Sequence, residues 1–187
     1  LLILDDLGVH AKYLREIALL SQEIPGRESY PGEIFYAHAH LLERAGRFNA
    51  LGGGGSITIL PIIENDLDNL TNLIPTNLMS QTDGHLVFSA GLHSQGQYPA
   101  LEWDRSVTRV GRQTQKPLVK ALGVRIRKLL ADFEALESYS KFETELSVET
   151  QRMLHQGQMI LELLKQEPQE FIPNPVQVIV LGLAFSR

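Results

Sequence analysis

The chain has no cysteine among its 187 residues. That excludes disulfides, thiolate nucleophiles, zinc–thiolate sites and iron–sulfur clusters, and it fits a cytoplasmic protein. Long hydrophobic runs are also missing. The longest, Val178 to Phe185, is eight residues including its glycine, against the roughly 18 to 20 that a membrane-spanning helix requires. Positive charge is not in excess: 17 Lys and Arg against 22 Asp and Glu leave a net charge of −5, so no global field gathers the phosphates of a nucleic acid. The N-terminus lacks an initiator methionine and a basic leader with a cleavage site. It opens inside the apolar run Leu1 to Leu4, as though a strand were already under way, and the chain is therefore expected to be a piece of something longer. What is present is ordinary globular material, 43% hydrophobic and 21% charged, enough to build a core in one domain or one and a part.

Leu1 to Leu4 is too short for a helix and ends at Asp5-Asp6, which predicts a buried parallel strand meeting solvent at its C-terminal end. From Val9 to Leu20, apolar residues recur at three and four (Val9, Tyr13, Ile17, Leu20, with Leu14 and Ala18), the spacing of one helix face. Ile24-Pro25-Gly26-Arg27 ends that helix, and Tyr30-Pro31-Gly32 opens a second through Ile34, Phe35, Leu41 and Leu42. Ser56 to Ile63 is rich in β-branched residues and reads as the next core strand, with shorter candidates at His85 to Phe88 and Ser106 to Val110. Strands alternating with helices predict a parallel α/β sheet. Beyond Gly111 only helical spacing remains, in Leu118, Leu122, Ile126, Leu129, Leu130 and Phe133, then Val148, Met153, Ile160 and Leu164. A domain boundary is expected at Gln115 to Pro117.

An apolar strand ending in acid can place a carboxylate beside a magnesium–nucleotide complex, holding a water on the metal. Four apolar residues before an Asp also occur in many sheets where the acid only caps a helix. The deciding partner, a Gly-x-x-x-x-Gly-Lys-Ser/Thr phosphate loop, is not in the sequence. Gly52 to Gly55 is followed by no lysine, and although its composition matches a flexible linker, its passage straight into a strand-like segment favours a tight backbone turn. His38 and His40 are two apart on a helix, diverge by about 200° and cannot share a metal. They read as surface or interface residues. Arg109 closes a short strand just before the helical third, where a guanidinium could reach a phosphoryl group in a neighbouring subunit. The plainer reading is a salt-bridged surface arginine.

The order of motifs resembles the alpha subunit of F-type rotary ATP synthases. Leu2-Ile3-Leu4-Asp5-Asp6-Leu7, Pro25-Gly26-Arg27-Glu28-Ser29-Tyr30-Pro31-Gly32 and Leu41-Leu42-Glu43-Arg44-Ala45 carry the likeness first. Gly53 to Thr58, Ile74-Pro75-Thr76-Asn77, Thr82-Asp83-Gly84, Ser106 to Gly111 and Glu162 to Gln166 continue it, so that it covers essentially the whole chain. The resemblance implies the C-terminal part of a P-loop, RecA-like nucleotide-binding domain (residues 1–115, starting at its Walker B strand), followed by an incomplete helical domain (116–187). The phosphate loop would lie upstream.

By the same resemblance, Asp5 matches the Walker B aspartate, holding Mg2+ through water beside ATP or ADP. Arg109 matches the arginine that alpha extends into the catalytic site on beta, and Thr71 stands near that interface where the family usually has serine. Tyr98, Pro99, Gln166 and Gln169 fall at the adenine pocket. Departures are visible there. Tyr98 replaces an arginine and His93 an aromatic residue, Glu102 replaces an asparagine, Thr108 a serine, and the glutamine pair is stretched by one residue. These suggest a divergent second-type bacterial variant of the kind proposed to move sodium. The implied partners are beta subunits and a central shaft, at the cytoplasmic face of the bacterial inner membrane, in a complex that translocates protons or sodium. The alternative is a truncated paralogue that assembles without chemistry.

Overall fold

The computed structural model describes residues 1–65, 72–140 and 147–185. The chain divides by packing into two units, Leu1–Thr82 and Asp83–Arg187.

In the first unit, β1 (Leu2–Leu4) leads through Asp5-Asp6 into α1 (Leu7–Leu20). Asp6 is the N-cap, its side chain accepting from the amide of Val9 at 2.5 Å, which satisfies one of the helix's orphan donors. The Arg27–Ser29 turn follows, then α2 (Ile34–Leu42). Next comes a small antiparallel hairpin of β2 (Gly46–Arg47) and β3 (Ser56–Ile57). Gly53 and Gly54, at φ of 90° and 70°, shape the bend between these strands, which is why this stretch of glycine is a turn and not a linker. β4 (Ile59–Pro61) then runs parallel to β1, with Ile3 opposite Leu60, and α3 (Leu73–Gln81) completes the unit. Leu7, Ala11, Ile34, Ile74 and Leu78 form its core.

Two expectations are corrected here. β1 is parallel but not buried, since Leu2 and Ile3 are exposed; its sheet has only two strands. Helix α1 buries Leu7, Ala11 and Ala18, while Val9, Tyr13, Ile17 and Leu20 are exposed. The helix carries apolar residues on more than one face, and the small-residue face is the one that fits against its neighbours.

The second unit opens with an antiparallel hairpin, not a further parallel strand: β5 (Gly84–Phe88) and β6 (Leu101–Thr108), with α4 (Ala90–Ser94) between them. Its register runs His85 opposite Val107 and then Val87 opposite Glu102. Between those pairs β6 therefore spends five residue steps on two of β5, a large bulge. Ser106 Oγ donates to the Glu102 carbonyl at 2.5 Å and accepts from the Val87 amide at 3.0 Å, which closes the bulge from within. Three helices follow, α5 (Pro117–Ser140), α6 (Val148–Leu163) and α7 (Asn174–Leu183). Leu130, Ile160 and Ala184 are buried among them, and Trp103 of β6 packs on that cluster. The packing division at Thr82 thus precedes the sequence boundary at 115–117, because the hairpin joins the helices through Trp103.

Candidate functional site

Asp5 lies in the turn after β1 and is exposed. Its neighbour Asp6 is occupied as a helix cap, so of the two acids Asp5 is the one outside the cap. The C-terminal end of a parallel strand is where α/β proteins hold nucleotides. Among the described residues no three His, Cys, Asp or Glu gather to hold a metal ion. A single exposed carboxylate such as Asp5 can orient a metal-bound water but cannot by itself form a protein cage.

Arg109 follows β6 directly and is exposed. Its amide donates to the Asp83 carbonyl at 2.8 Å, which also accepts from Val110 at 3.4 Å. The hairpin is narrow here, since a Cβ on Gly84 would stand 2.5 Å from the Val107 carbonyl oxygen and 3.1 Å from Thr108 Cα. That close approach fixes the backbone from which the guanidinium extends. Two further arginines lie close in the sequence. Arg105 is paired with Glu102 at 3.0 Å, and Arg112 sits in the short turn Gly111–Gln113.

Tyr98, Pro99 and Gln166 come together although 67 residues separate Pro99 from Gln166. The Gln166 amide donates to the Tyr98 carbonyl at 2.7 Å, and the side-chain amide of Gln166 donates to the Glu170 carbonyl. His93 stands edge-on to the Tyr98 ring, 5.2 Å between centroids. Gln169 is exposed in the turn just beyond. Thr71 lies outside the described residues.

A feature missed by sequence reasoning is the buried histidine. His38 is fully buried, not on the surface, and its Nε2 lies 3.2 Å from Nδ1 of His10. Burial first, and then His10, lower its pKa from 6.5 to about 4. No local spacing could have shown this, because the partner sits 28 residues away on another helix. In the second unit, partial burial and then the carboxylates of Asp104 and Glu137 raise the pKa of Glu134 on α5.

Residues 1–108 match the nucleotide-binding domain of the ATP synthase alpha/beta family, and residues 115–186 match the C-terminal domain of ATP synthase alpha/beta chains. The chain belongs to the ATP synthase alpha/beta family. Its fold is thus the α/β nucleotide-binding type followed by a helical part, as the strand–helix order and the three final helices predict. Within the family the chain is similar to alpha subunits. It is 45% identical over 97% of its length to ATP synthase subunit alpha 2 of Syntrophotalea carbinolica, covering 35% of that protein. It is 46% identical over 89% to subunit alpha 2 of Syntrophus aciditrophicus, covering 32%, and 44% identical over 96% to subunit alpha of Acholeplasma laidlawii, covering 36%. The chain spans about a third of the length of the curated relatives it matches. Among its described residues no helix is long and apolar enough to cross a membrane.

Proposed function

We propose that the chain is part of the nucleotide-binding, non-catalytic alpha subunit of an ion-translocating F-type ATP synthase, peripheral to the cytoplasmic face of a bacterial inner membrane. Its partners are beta subunits and a central shaft. The observation that carries this reading is Arg109, an exposed arginine at the end of β6 whose backbone is held by Asp83. Extended into a site on beta, it stabilises charge that develops on the transferred phosphoryl group. Asp5 would hold a water on Mg2+ beside ATP or ADP; the metal neutralises phosphate charge, and the carboxylate's task is to orient that water. Tyr98 and Pro99, with Gln166 and Gln169, would border the adenine, and Thr71 the same subunit interface as Arg109.

The test is substitution of Arg109, Arg105 and Arg112 in a reconstituted alpha–beta–shaft complex, with ATP hydrolysis measured at saturating Mg-ATP. Arg109→Ala should leave assembly and nucleotide binding near normal while turnover falls by roughly 10³ to 10⁵, the worth of arginine fingers in general. Arg109→Lys should not rescue it, because a point charge lacks the planar fork that bonds two oxygens. Small, equal losses at all three positions would overturn the reading.

A further inference from the structure

We propose that buried His38, through its contact with His10, forms a pH-sensitive latch that clamps α1 to α2 while His38 is neutral and releases when His38 is protonated. The argument begins with hydrogen-bond accounting. His38 Nε2 is 3.2 Å from His10 Nδ1, the rings are 5.3 Å apart at their centroids, and Nδ1 of His38 has no partner among the described residues. A neutral imidazole has one N–H and one lone pair. A buried N–H without an acceptor is the more rarely tolerated orphan. The arrangement that avoids one has His38 Nε2–H donating to His10 Nδ1, with the bare lone pair of His38 at Nδ1.

From that arrangement, protonation of His38 is unfavourable. A proton on His38 can enter only at Nδ1, where it creates a buried charge and a donor with nothing to accept it. Among the described residues no acid acts on His38. On α1, Lys12 and Glu16 are exposed and Arg15 lies over the Tyr30 ring. The helix α3 (Leu73–Gln81), which shares this core, carries no acid or base; its polar residues are Thr76, Asn77, Ser80 and Gln81. β1 and β4 are apolar, and on α2 itself Glu33, His40 and Glu43 are exposed. The acids at the end of β1, Asp5 and Asp6, are not among the groups that act on His38; His10 alone is. Burial and His10 together lower its pKa from 6.5 to about 4, so the folded state prefers the neutral ring and its stability is lost as pH falls from 6.5 toward 4. Because α1 starts at the Asp6 cap, the latch also bears on the turn that carries Asp5.

The experiment is urea unfolding of the full 187-residue chain at intervals from pH 7.5 to 4, followed by circular dichroism, beside a His38→Phe variant that keeps a buried ring but cannot be protonated. The ratio of folded to unfolded chain should fall, on acidification to pH 4, by roughly a hundredfold more in the unaltered chain than in the variant. Parallel curves would overturn the latch. If His38→Phe does not fold, the imidazole Cε1–H resonances of the unaltered chain decide. A His38 resonance that stays in its neutral position to below pH 5 supports the latch, and one that titrates near 6.5 overturns it.

Discussion

Gly157 of α6 lies directly against the ring of Phe133 on α5, so close that a Cβ added at Gly157 would overlap the ring's own atoms. Both residues are buried, and the contact is what brings α5 and α6 together above Leu130 and Ile160.

Gly157→Ala is therefore expected to destabilise the helical unit, although alanine is the better helix former. Overpacking of this kind costs about 1 to 3 kcal/mol. Thermal unfolding followed at 222 nm checks it, and an unchanged or raised midpoint would show that Phe133 can turn aside at no cost.

The two acids after β1 should respond in opposite ways. Asp6→Ala removes the cap bond to Val9 and should cost about 1 kcal/mol of stability. Asp5→Ala, at an exposed position outside the cap, should stay within about 0.5 kcal/mol of the parent. Chemical denaturation of the two variants side by side separates the capping acid from the one outside the cap.

The 187-residue chain by itself should bind Mg-ATP very weakly and hydrolyse none. Asp5 supplies one carboxylate, and the sequence holds no Gly-x-x-x-x-Gly-Lys-Ser/Thr loop to present amides and a lysine to the phosphates. A micromolar dissociation constant by calorimetric titration would mean that the phosphates are held by residues other than these.

Leu1, Leu2, Ile3, Leu60 and Ile62 are exposed on and beside the β1–β4 pair. Open strands of this composition promote association, so sedimentation velocity should show concentration-dependent self-association of the chain. Ile3→Lys should reduce it.

Legibility followed the range of the forces involved. The helices of the last third were readable because their buried residues, Leu122, Leu130, Phe133 and Ile160, repeat at helical spacing, and the strand ending at Asp5 because apolar and acidic residues meet there abruptly. The face of α1 was not readable. Both Ala11 and Val9 belong to plausible stripes, and only the neighbouring helices decide which one is covered. His38 was misplaced for the same reason: its burial comes from His10 and from core residues of α1 and α3, which are far from it in the sequence. The meeting of Tyr98 with Gln166 rests on backbone groups, whose pairing side-chain identity does not announce. Arg109 was legible as the end of a strand, but its support from Asp83 belongs to hairpin geometry.

The bulge in β6 also settles a matter of phase. Trp103 and Arg109 are six positions apart, and in an uninterrupted strand an even separation sends both side chains to the same side. Five steps on β6 set against two on β5 add three residues, an odd number, which reverses the parity. One strand can thus pack a half-buried tryptophan against the helices and still carry an exposed arginine beyond its end. Shortening the bulge by a residue between Trp103 and Ser106 would leave Arg109 facing as before so long as both registers hold, because it is the pairing with β5 that sets which side each end of β6 presents.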